Sequence, residues 1–211
     1  MLAILSLCSA FAATNEVGFE VGWLGNSDPR WGTFAEGRTY GTAGLRVGLK
    51  VHERVAIIAG WQHGNTGMTL SSPYEEEVYD EEEDAYYGGG SESLRTAFYG
   101  DQFTLGGKAD VQLFKWLHPY ATVQGVGMRA LVRFDDDDGD DENLTQVQRA
   151  GVTGGVLATA GLDFPIHIGP KYAISPYVEL GYGWLAPVVF KDVGALEFDG
   201  FAGRTGVALH F

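Results

Sequence analysis

From residue 15 to its end, this chain switches between apolar and small or polar residues at almost every step, in eight separate stretches. A period of two marks a β-strand whose two faces meet different surroundings. Val17, Phe19, Val21 and Trp23 alternate with Glu16, Gly18, Glu20 and Gly22, which predicts a first strand over Asn15 to Leu24. Ala43, Leu45, Val47 and Leu49 mark a second strand. Val55, Ile57, Ala59 and Trp61 mark a third, with a turn near Val51-His52-Glu53 between them.

The fourth strand is predicted over Arg95 to Phe114, with Phe103, Leu105, Ala109, Val111 and Leu113 on one face and Thr104, Lys108, Asp110 and Gln112 on the other. After a turn at Lys115–His118, the fifth runs from Pro119 to Phe134. It begins with Ala121 and Val123 outward, then reads Val126, Met128, Ala130 and Val132 outward and Arg129 and Arg133 inward. That slip of parity predicts a β-bulge at Gly125–Gly127. The sixth strand spans Val147 to Phe164 and precedes a turn at Ile166–Pro170. Val178, Leu180, Tyr182 and Trp184 mark the seventh strand, and Thr205, Val207, Leu209 and Phe211 the eighth.

The connections alternate in length. Long ones lie near Gly25–Gly37, Asn65–Ser93, Asp135–Gln146 and Ala186–Gly200, and short ones near Val51, Trp116 and His167. Transmembrane barrels have short periplasmic turns and longer extracellular loops, and an even strand count closes the sheet so that no backbone group is left unpaired in lipid. The fold class is therefore all-β: a closed, antiparallel, eight-stranded, up-and-down transmembrane β-barrel. Trp23, Trp61 and Trp184 fall toward the long loops, and Trp116, Tyr120, Tyr172 and Phe211 toward the short turns, a distribution that predicts two aromatic girdles.

Residues 1–13, MLAILSLCSAFAA, form an apolar run ending in a small-x-small pattern, read as a signal peptide ahead of a barrel domain over 14–211. The one cysteine, Cys8, falls inside it, so cysteine-based redox and metal chemistry is excluded from the mature chain. The 31 glycines beside 7 prolines suit closely packed strands. Of the 28 acidic residues, 15 lie in Glu75–Glu77, Asp80–Asp84 and Asp135–Glu142, leaving 13 against 14 basic ones elsewhere. The net charge of −14 thus belongs to two loops, and nucleic acid is excluded as a partner because phosphate contacts need clustered Lys and Arg.

The eight stretches and the final Gly203-Arg-Thr-Gly-Val-Ala-Leu-His-Phe211 resemble the OmpA-like and OmpX-like outer-membrane β-barrels over Asn15 to Phe211. The resemblance implies a bacterial outer-membrane location among lipid and lipopolysaccharide. It also implies recognition of the terminal Phe211 by the barrel-insertion machinery, and a structural, adhesive or narrowly conducting role.

Inside such a barrel, Glu20, Arg46, Lys108, Asp110, Arg129, Asp163, Glu179 and Arg204 are predicted to share the lumen as a paired charge network, since eight strands leave an interior just wide enough for side chains to fill. No cofactor is expected. The five histidines show no metal-ligand spacing, and no nucleophile stands beside a base with an orienting acid. The acidic segments fail the EF-hand frame, because Phe134 takes its first ligand position and Thr145 its twelfth, but they suit loose binding of divalent cations. The leading reading is a non-enzymatic barrel with a filled lumen. A narrow pore for ions or small solutes, a membrane-embedded lipid-modifying enzyme and a lipocalin-like binder stand as alternatives.

Overall fold

The computed structural model describes residues 16–34, 37–73, 78–80, 85–87, 91–137, 146–169, 172–191 and 194–211. The signal peptide read over 1–13, and Glu75–Glu77, Glu81–Asp84 and Asp138–Glu142 of the acidic segments, lie outside them. Eight long strands form one antiparallel sheet: β1 (Glu16–Gly25), β2 (Thr39–His52), β3 (Val55–Pro73), β4 (Ser91–Asp110), β5 (His118–Asp137), β6 (Gln146–Asp163), β7 (Ala173–Leu185) and β8 (Gly200–His210). Each pairs with its chain neighbour, and β1 pairs with β8, so the sheet closes on itself. Among the described residues no helix is long and apolar enough to cross a membrane.

Alternation dictates which way each side chain faces. Phe19, Leu45, Ile57, Phe103, Leu105, Val123, Leu180 and Val207 are all exposed on the outer wall, while their chain neighbours Glu20, Arg46, Ile58, Thr104, Gln124, Glu179 and Ala208 are buried in the lumen. So continuous an apolar exterior greatly exceeds the patches that soluble monomers expose, and it is the surface a lipid bilayer requires. Trp23, Trp61 and Trp184 are exposed toward the long loops, and Trp116, Tyr172 and Phe211 toward the short turns. Tyr120 is not part of that lower girdle. It points into the lumen, because it shares its face with Thr122 and Gln124.

Three boundaries differ from the sequence reading. β3 and β4 continue far into the second long connection, pairing from Asn65↔Tyr99 to Pro73↔Ser91. Thr66 and Thr69 on β3, and Thr96, Phe98 and Tyr99 on β4, favour strand over loop there. At its other end β4 stops at Asp110. Val111–Phe114 belong to the turn, where Val111 N donates to Pro119 O and Phe114 bridges Leu117.

The largest correction concerns β5. Its register runs unbroken from Ser93↔Asp137 to Asp110↔Tyr120 against β4, and equally against β6, so there is no bulge at Gly125–Gly127. Val126, Met128, Ala130 and Val132 are buried in the lumen, and Arg129 faces outward. The expectation failed because it assumed a polar lumen throughout, whereas the half nearer the long loops is apolar.

Candidate functional site

The lumen has two storeys. In the lower one, toward the short turns, charges meet in pairs. Arg46 on β2 donates from Nε to Glu16 Oε1 at 2.8 Å and from its NH1 nitrogen to Glu179 Oε1, which also accepts from Tyr120 OH at 2.7 Å. Lys108 lies 3.0 Å from Glu16 Oε2 and 3.5 Å from Asp163 Oδ2. Arg204 stands 3.9 Å from both Glu20 and Glu179, while Glu20 accepts from Gln62 Nε2 and, at 2.8 Å, from Tyr177 OH.

Aromatic faces complete the shell. The Arg46 guanidinium lies 3.9 Å from the Tyr177 ring centre, and Lys108 Nζ lies 4.4 Å from that of Tyr120. Isolated ions taken out of water cost several kcal/mol each, and only close pairing with further hydrogen bonds offsets that cost. Here each charged group touches two or more partners from other strands, so the network staples β1, β2, β4, β6, β7 and β8 across the interior.

Six of the eight residues picked out from the sequence meet in this storey: Glu20, Arg46, Lys108, Asp163, Glu179 and Arg204. Two do not. Asp110 sits at the rim of the lower mouth and makes no ion pair among the described residues. Arg129 stands on the outer wall, opposite Asp101 of β4 and beside the Asp101–His63 pair at 2.9 Å. That polar row lies one step above Trp61 and Phe103, the level at which lipid headgroups begin. Glu16, missed as a site residue, is a centre of the network. Its place two residues before Gly18 and four before Glu20 on one face was the available signal.

The upper storey is built by loops. Asp28 caps a short 3-10 turn, Pro29–Thr33, whose Trp31 is 0% exposed. Trp31 packs edge-on to Phe98 of β4 at 4.9 Å and to Phe198 at 5.8 Å, with Tyr40 at 5.7 Å and Phe34 at 6.0 Å. Beneath and around it lie Val126, Met128, Ala130 and Val132, the inward residues that the parity reading had turned outward, together with Leu157 and Leu185. The short hairpin Val188–Phe190 and Gly194–Leu196 adds Val188, Phe190 and Leu196.

Asp28 locks the plug. Its carboxylate accepts from the Arg30 backbone N and Nε, both at 2.9 Å, from an Arg30 NH2 nitrogen at 2.7 Å, and from the Glu197 backbone N at 3.0 Å. The Arg30 bond, helped by the Glu197 amide and opposed by burial, lowers the Asp28 pKa to about 2. The first and fourth long connections are thereby tied together over the mouth. Tyr40 OH, accepting from Gln102 Nε2 at 2.7 Å, marks the border between the storeys.

The buried carboxylates are held by arginine, lysine and tyrosine, and among the described residues no three His, Cys, Asp or Glu side chains are placed to hold a metal ion.

No protein-family model and no curated protein sequence matches the chain. Solved structures do. Neisserial surface protein A is similar at a TM-score of 0.51 and 11% identity, over 92% of this chain and 94% of that one. Ail, the attachment invasion locus protein of Yersinia pestis, has a TM-score of 0.41 at 11% identity over 93% and 95% of the two chains. The N-terminal β-barrel domain of Pseudomonas aeruginosa OprF gives 0.36 at 13% identity over 93% and 98%. The apolar outer wall, the closed register of eight strands and the likeness to Neisserial surface protein A together make this chain an eight-stranded transmembrane β-barrel of the bacterial outer-membrane type.

Proposed function

We propose that the protein is a non-conducting, non-enzymatic barrel that contributes to the fabric of the outer membrane and presents acidic loops at the cell surface. The observation that carries this reading is the double closure of the lumen: a charge network below and the Trp31 plug above. A conducting barrel needs a continuous polar path, and the buried cluster of Trp31, Tyr40, Phe98 and Phe198 interrupts one. In this reading the partners are outer-membrane lipid and lipopolysaccharide around the wall, the insertion machinery at Phe211, and divalent cations held loosely by the acidic segments.

The test is conductance. The purified barrel reconstituted in a planar bilayer is expected to give no steady current at potentials where an open pore of the same strand number conducts. Stepwise, reproducible openings would favour a narrow pore instead.

A further inference from the structure

The lower mouth of the barrel is not filled. It encloses a cavity of about 480 Å³, within the range of small-molecule sites, to which all eight strands or their turns contribute. On one wall, the consecutive ends of β5, β6, β7 and β8 bring His118, Asp163, Ser175 and His210 to its lining. Each carries a buried polar atom with no hydrogen-bond partner: His118 Nε2, Asp163 Oδ1, Ser175 Oγ and His210 Nε2. They are four of the seven such side-chain atoms among the described residues. Ser175 is 0% exposed and Asp163 5%.

Buried polar atoms without partners are costly, and a wall of them is poor structure unless something that enters the cavity completes it. The donor and acceptor inventory says what. A carboxylate oxygen only accepts, a hydroxyl accepts readily, and an imidazole nitrogen without its proton accepts as well. Asp163 Oδ2 already lies near Lys108 Nζ at 3.5 Å and His210 Nε2 at 3.7 Å, which leaves Oδ1 for a newcomer. Lys108 is itself engaged by Glu16 at 3.0 Å. Four carboxylates and three cations line the whole cavity, so its balance also favours a positive guest.

We propose that this vestibule binds a primary ammonium group, carried by a small aliphatic amine that reaches it from the periplasmic side. The three N–H donors of the ammonium match in kind a carboxylate, a hydroxyl and an imidazole nitrogen that line the cavity from adjacent strands. Asp163 Oδ1 supplies the charge partner, Ser175 Oγ the second acceptor, and His118 Nε2 the third. A transition metal would demand three ligating side chains set around one point, which these residues do not provide.

Calorimetric titration of the full-length protein, folded in a zwitterionic detergent, tests the proposal with 1,4-diaminobutane as the probe and 1,4-butanediol as its uncharged counterpart. Saturable binding of the diamine, none of the diol, and a loss of about tenfold or more in affinity for both Asp163→Asn and Ser175→Ala are expected. Heat-modifiable gel mobility reports whether each variant is folded. Ser175→Ala removes an unpartnered hydroxyl and keeps the test decisive if Asp163→Asn does not refold. Equal heats from diamine and diol, diamine affinity unchanged in Ser175→Ala, or saturable binding of inorganic phosphate in place of the amine would overturn the assignment.

Discussion

Arg46 on β2 and Glu179 on β7 form an ion pair through the middle of the barrel, although β1 and β8 lie between their strands on the wall. The pair therefore measures closure itself, since it forms only when the two ends of the sheet have met. Arg46→Met is expected to cost roughly 3–5 kcal/mol, because Glu16 and Glu179 both lose a buried partner. Adding Glu179→Gln to Arg46→Met should recover part of that loss. Urea titration of the protein folded in lipid vesicles reads both values, and strictly additive losses would mean that the two residues are uncoupled.

Arg129 provides the contrasting case. On the outer wall and without a lumen partner, it is expected to tolerate Arg129→Met within about 0.5 kcal/mol of the parent. A loss as large as that of Arg46→Met in the same titration would return Arg129 to the interior and restore a break in the parity of β5.

Leu180 is 62% exposed on β7, between the inward Glu179 and Gly181. Leu180→Arg puts a charge on the lipid face and is expected to destabilise the inserted barrel by roughly 2–4 kcal/mol near the midplane. Gly181→Ala should harm folding for a different reason, since an added Cβ would stand 2.1 Å from Ala158 O. Folding into vesicles of detergent-free lipid, followed by gel mobility, separates the two. Wild-type insertion by Leu180→Arg would reverse the faces assigned to this strand.

Asp28 makes the plug sensitive to acid. Its pKa falls from 3.8 to about 2 on folding, so its stabilisation is complete above 3.8 and is lost as pH drops through about 2. The Glu197 amide, which donates to Asp28, should report this as a chemical-shift change with a midpoint near that lower value. In Asp28→Asn the transition should vanish. An unchanged acid transition in that variant would assign it to another carboxylate.

Protease added to intact cells is expected to cut between Tyr74 and Gly90, in one of the two acid-rich long connections. Millimolar Ca²⁺ or Mg²⁺ should slow the cutting by relieving repulsion among the carboxylates. Equal protection by monovalent salt at matched ionic strength would reduce the effect to screening. Cleavage only after the outer membrane is permeabilised would place this connection on the periplasmic side.

Alternation carried the strand count and the lipid face in the sequence, because a residue such as Leu45 between Gly44 and Arg46 has only one wall it can occupy. It could not carry β5. Val126, Met128, Ala130 and Val132 are apolar on the inward face, and their partner, Trp31, sits in a Gly- and Pro-containing connection with no periodicity to reveal where it docks. A long-range aromatic contact of this kind leaves no local pattern. The lower network was more legible, since Arg46, Glu179 and Arg204 interrupt apolar alternation on the lumen face. Which charges pair was not, because pairing depends on strands far apart in sequence.

The long hairpin of β3 and β4 has a consequence for how the acidic surface acts. Beyond the girdle residue Trp61, the paired strand runs another twelve residues to Pro73. At about 3.3 Å per residue and a strand tilt of about 40°, that is a mast of roughly 30 Å in height above the girdle, still several Debye lengths at physiological salt. The acid-rich stretch from Glu75 to Asp84 follows from its head. The tip of that mast stands clear of the field of the lipid headgroups, so whatever approaches from the medium meets the end of the hairpin before it meets the membrane's own counterion layer.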